Sequence, residues 1–81
     1  MKLKKRGIKA MNQEQLEFVL YCVEALAEDL GRDTVDVYEM LKNCGVLYGY
    51  VVPLYDILHT QGREYIIEDI RDVISEKGVV L

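Results

Sequence analysis

The sequence predicts an all-α fold, a small bundle of three main helices with a short extra helix before the last one. Three observations lead there. Apolar residues recur at three- and four-residue spacing in three separate stretches, each stretch closes on a glycine, and only one short β-branched run, Val51-Val52, suits a strand. A strand at Tyr50 to Val52 is the competing reading, and it has no convincing second strand to pair with.

The first stretch, NQEQLEFVLYCVEALAEDLG, runs from Asn12 to Gly31. Asn12 is an N-cap candidate, Gln15 sits at the third following position as a capping box requires, and Gly31 supplies the stop. Leu16, Val19, Leu20, Val23, Leu26, Ala27 and Leu30 form one broad stripe toward a core, with a narrower one at Phe18, Cys22 and Ala25. A helix apolar over so wide an arc is expected to be central in the fold, with sharing between partners as the alternative.

Arg32 and Asp33 make a turn, and Asp33 or Thr34 caps a second helix through about Asn43. Val37, Tyr38 and Leu41 face inward and Gly45 supplies the left-handed stop. Pro53 biases Val52 away from helical angles, which places an irregular or one-turn piece at Val46 to Val51 and a short helix at Pro53 to His59. The last helix spans about Arg63 to Lys77. Ile66, Ile67, Ile70, Val73 and Ile74 form its buried face, Glu64 and Lys77 complement its dipole, and Gly78 ends it. The apolar end Val79-Val80-Leu81 is expected to tuck against the bundle or a neighbouring subunit.

With 81 residues, 51% of them hydrophobic and 30% charged, the composition is that of one globular domain with a small core. Such a core gains from further burial, so pairing with a second copy or another protein is expected. No apolar run reaches the roughly 18 residues of a membrane span and no signal peptide is recognisable, which makes the cytoplasm the default address. Cys22 and Cys44 lack the spacing of a zinc site or a disulfide framework and read as small buried hydrophobes.

The net charge of −4 is unevenly placed. Residues 1–10 carry Lys2, Lys4, Lys5, Arg6 and Lys9 and no acid, whereas the remaining five bases and fourteen acids give residues 11–81 a charge of −9. The division is therefore a basic arm, 1–10, disordered or a misassigned start, and a helical domain, 11–81. Lys-Lys-Arg-Gly can be encoded by a purine run resembling a bacterial ribosome-binding sequence, which makes Met11 the expected native start. An acidic body disfavours nucleic acid, because affinity for phosphates comes from Lys and Arg. A nucleic-acid-associated regulator using the basic arm is the alternative function.

Chemistry-bearing side chains concentrate in LYDILHTQGREY, residues 54–65, around the only histidine. On a short helix Asp56 and His59 share a face, where a carboxylate could orient an imidazole. Thr60 is the only hydroxyl of Ser or Thr type beside them, and adjacent helical residues point apart, so no nucleophile meets the base. One histidine with scattered carboxylates lacks metal-site spacing, and a lone Gly62 makes no phosphate loop. These patterns predict no enzyme, no cofactor and no metal. Most of the stretch reads as a helix junction: His59 in a last turn, Thr60 or Gly62 as the next cap, and Arg63 paired with an upstream acid such as Asp56. The functional reading is a protein-binding surface of Tyr55, Asp56, His59, Gln61, Arg63 and Tyr65, within a tyrosine cluster that includes Tyr48 and Tyr50 and suits an interface.

The segments LEFVLYCVEALAEDL, VYEMLKNCGVL and above all GYVVPLYDILHTQGREYIIEDI resemble a family of small bacterial proteins catalogued as domain of unknown function 3791. The similarity covers about residues 12 to 77 and leaves out the basic arm. It implies an all-helical cytoplasmic protein without an established activity. It also implies genes beside those of toxin-like ADP-ribosyltransferase domains, and hence a small partner or neutralising protein of a toxin-like protein.

Overall fold

The computed structural model describes residues 11–79. Helices α1 (Gln13–Leu30), α2 (Thr34–Asn43), α3 (Tyr55–Leu58) and α4 (Arg63–Glu76) form a small all-α bundle, with a π-helical turn at Leu47–Val51. Among the described residues there is no strand, so the competing reading of Tyr50 to Val52 is lost. The basic arm and the two residues after Val79 lie outside the described residues, together with the expectations that fall on them.

The start of α1 follows from local chemistry. Asn12 Oδ1 accepts from the Gln15 N–H at 2.7 Å while Gln15 Oε1 accepts from the Asn12 N–H at 3.2 Å, a complete capping box. Its end is equally local: Gly31 at φ 67 turns the chain left-handed and sends its N–H back to Ala27 and Glu28. Gly45 at φ 85 and Gly78 at φ 82 do the same after α2 and α4.

Helix α1 is central, packed against both α2 and α4. The core gathers Phe18, Val19, Cys22, Val23, Ala25, Leu26 and Ala27 from α1, Val37 and Leu41 from α2, Val46, Leu47, Val51 and Leu58 from the connecting segment, and Ile66, Ile67, Ile70 and Ile74 from α4. The seam on α1 is rotated from the expected stripe. Phe18, Cys22 and Ala25, expected as a minor row, are buried, whereas Leu16 and Leu20 are 44% and 48% exposed. With neighbours on two sides, α1 buries the arc between them, and Leu16 and Leu20 fall on its far edge.

Of the irregular or one-turn piece expected at Val46 to Val51 the structure has the single turn, in π geometry, and the helix expected from Pro53 to His59 shrinks to Tyr55–Leu58. The Val52 N–H reaches the Leu47 carbonyl at 3.0 Å, five residues back, while Leu54 N–H bonds Tyr50 at 3.1 Å. Pro53 has no N–H, and in a regular α-helix its ring would press on the Gly49 carbonyl. A widened turn relieves that crowding while keeping Leu47 and Val51 wholly buried. A phenol on this turn, Tyr50, donates to Asp69 of α4 and ties the two elements together. At the end of the described residues Val79 is half-buried against the core.

Burial pushes the Cys22 thiol up to about 12, and its sulfur is wholly enclosed. Cys44 is half-buried, with its thiol toward the Leu41 carbonyl at 3.7 Å. In native protein a thiol-specific disulfide reagent is expected to label Cys44 and leave Cys22 unmodified until denaturant is added, read by mass spectrometry.

Candidate functional site

The polar stretch after Tyr55 is built as a helix terminus. A helix ends with carbonyls that have no partner inside it, and here side chains supply several. His59 Nδ1 donates to the Tyr55 carbonyl at 3.0 Å, beside the His59 backbone N–H at the same distance. Thr60 Oγ1 donates to the Ile57 carbonyl at 2.8 Å, and the Gln61 N–H to Leu58 at 3.0 Å. The Gln61 side chain reaches Thr60 Oγ1 only weakly, at 3.4 Å. Since a carbonyl can only accept, this geometry puts a proton on His59 Nδ1.

The Asp56–His59 pair expected from three-residue spacing does not form. The imidazole lies flat on Tyr55, centroids 4.4 Å apart and planes within 7°, and Tyr55 in turn meets Phe18 edge-on at 5.5 Å. Stacking and the carbonyl bond together hold the ring away from the carboxylate. Burial raises the Tyr55 phenol above its ordinary value, and the charges of Glu14, Asp56 and Glu17 add to that. The cap of α4 falls to Gly62, whose backbone alone makes the turn.

Arg63 has a different partner from the expected Asp56. Its guanidinium pairs with Glu28 on α1 and approaches the Ala25 carbonyl at 3.5 Å. Arg71 pairs with Asp29 at 2.7 Å. Glu28 and Asp29 occupy the last turn of α1, where carboxylates oppose the negative end of the helix dipole, and α1 has no base there. Two arginines from α4 provide the missing positive charge. The Arg63–Glu28 pair is solvent-exposed, with side chains 42% and 79% accessible, so its contribution stays below about 1 kcal/mol.

Of the six residues proposed as a contact surface, the fold groups Tyr55, Asp56, His59 and Gln61 at the end of α3, places Arg63 against α1, and leaves Tyr65 54% exposed on α4. Ile57, 61% exposed, joins them and was missed, because isoleucine in an apolar stretch reads as core. No three His, Cys, Asp or Glu side chains among the described residues converge to hold a metal. No described helix is long and apolar enough to cross a membrane.

The most perturbed phenol lies outside this group. Tyr50 is raised from 10.0 to about 12, first by its hydrogen bond to Asp69, then by burial and by nearby negative charge. Because the folded state holds the proton more tightly, this link stabilises the fold fully below pH 10 and is lost as pH rises through about 12. Tyr50→Phe is expected to flatten the alkaline fall of stability between those values, measured by urea unfolding at stepped pH. Cys22, raised from 9.0 to about 12, and Tyr55 contribute to the slope that remains.

No curated protein and no solved structure matches this chain. One family does, over residues 17–77, most of the described bundle and all of the α3–α4 junction. The chain therefore belongs to the family described as protein of unknown function DUF3791.

Proposed function

We propose that the chain is a non-enzymatic protein-interaction module whose contact surface is the α3–α4 junction. The supporting observation is the exposed aromatic and apolar group there: the Tyr55–His59 stack, Ile57 and Tyr65, with Asp56 and Gln61 on its polar edge. Aromatic side chains that are buried at one end and accessible at the other provide contact area at small entropic cost. Arg63 acts as a buttress, spent on Glu28. Both the ring Nδ1 and the backbone N–H of His59 are used on the helix end, at the Tyr55 carbonyl. This favours recognition over catalysis. The partner is a protein of the cytoplasm, a toxin-like protein in the reading that the family resemblance suggests.

Affinity purification of the full chain under gentle conditions, followed by mass spectrometry, tests the reading. Recovery of a stoichiometric protein is expected, and recovery of none rejects it. His59→Ala removes one side-chain capping bond, at about 1 kcal/mol, and Gln61→Ala removes only the weak contact to Thr60 and keeps its backbone bond to Leu58. They are expected to stay folded by circular dichroism yet lose the partner. Unfolding of both would assign the junction to architecture alone.

A further inference from the structure

Six large apolar side chains are prominently exposed among the described residues, and two of them, Ile57 and Tyr65, belong to the junction. The other four flank the outer ridge of α1: Leu16, Leu20 and Val35 on the α2 side and Tyr21 on the α4 side. A groove of about 340 Å³ lined by Leu20, Val23, Glu24, Thr34, Val35 and Tyr38 runs between α1 and α2. A second of about 360 Å³, between α1 and Arg63, includes Tyr21 and again Glu24. Because Glu24 borders both, the grooves adjoin across the helix and form one face.

The charge that α1 itself brings to that face has one sign, and the one cation at its edge, Arg63, is paired with Glu28. Helix α1 carries Glu14, Glu17, Glu24, Glu28 and Asp29 and no lysine or arginine. Glu28 and Asp29 are neutralised from α4, whereas Glu14, Glu17 and Glu24 meet no cation among the described residues. Glu17 and Glu24 are seven residues apart, two turns along the same side. We infer that the α1–α2 groove seats an amphipathic helix of another protein, its apolar row on Leu20 and Val35 and its flanking lysines or arginines on Glu17 and Glu24. A groove between two helices takes a third by its apolar row, and charge sets which one. A second copy offering its own α1 would set carboxylates against carboxylates, which disfavours self-pairing through this face. Its apolar row shares no residue with the junction surface, although Glu17 also acts on Tyr55 there.

The test is an NMR titration of the full chain with two synthetic amphipathic helical peptides that share their leucines and differ only in flanking residues, lysine in one and glutamate in the other. The lysine peptide is expected to shift the methyl resonances of Leu16, Leu20 and Val35 and to bind more weakly as salt rises. Leu20→Glu, at a half-exposed position, is expected to weaken it by about tenfold or more while the chain stays folded. Glu17→Lys with Glu24→Lys should invert the preference between the peptides, and His59→Ala should leave it unchanged. Equal binding of both peptides, shifts confined to Ile57 and Tyr65, or no shift at all overturns the inference. So does a dimer that Leu20→Glu dissociates in sedimentation. Movement of the same methyls on deleting residues 1–10 also overturns it, because the chain's own basic arm would then be the occupant. If a purified protein partner binds Leu20→Glu undiminished, the interaction reading stands and this face falls.

Discussion

Leu26→Ala is expected to cost about 2–5 kcal/mol, a large part of the roughly 5 kcal/mol that keeps a chain of this size folded. Leu26 is wholly enclosed on the central helix, so truncation loses its transfer energy and also leaves a cavity between two packed neighbours. At about 4–8 °C per kcal/mol, the thermal midpoint should fall by roughly 8–40 °C. Leu20→Ala is the control. The same chemistry on the same helix, at a position 48% exposed, should stay within about 0.5–1 kcal/mol. Equal losses at the two positions would mean that the seam of α1 is drawn wrongly.

Leu47→Asp is expected to be more severe. Leu47 begins the π-helical turn with no exposed surface. An unpaired carboxylate there costs several kcal/mol, comparable with the whole stability. The variant should lack a cooperative unfolding transition at pH 7 by circular dichroism. Burial would raise the new carboxyl in the folded state, so its penalty is smallest when it is protonated and grows as pH rises through the ordinary carboxylate range. Partial recovery of helicity between about pH 5 and pH 4 is therefore expected, and a fully folded variant at neutral pH would show the turn to be open to water.

Features fixed by near neighbours were the ones the sequence made readable. The capping box of Asn12 and Gln15 involves residues three apart, and the left-handed glycines act on their own turns. The isoleucine face of α4 was legible because its charged residues occupy the opposite side, leaving one arc to bury. On α1 the apolar residues cover too wide an arc for periodicity to choose between Leu20 and Cys22, and only the positions of α2 and α4 decide it. The π turn has no residue signature beyond Pro53, since Leu47 and Val51 sit four apart in α and π geometry alike. Arg63 with Glu28 and Tyr50 with Asp69 join residues 35 and 19 apart, beyond any spacing rule. In the junction, spacing put Asp56 beside His59, yet the flat face of Tyr55 took the ring.

The two thiols also make the protein its own gauge of cooperativity. Cys22 sits at the middle of the central helix, so a reagent reaches it only when the bundle opens as a whole, and its labelling rate under native conditions measures the global opening equilibrium. Cys44 stands where α2 gives way to the turn at Gly45, and it reports the fraying of that end. The ratio of the two rates gives the free-energy gap between local and global opening. A partner that clamps α1 against α2 would slow Cys22 labelling as its occupancy rises, and so reveal binding without any tag on the partner.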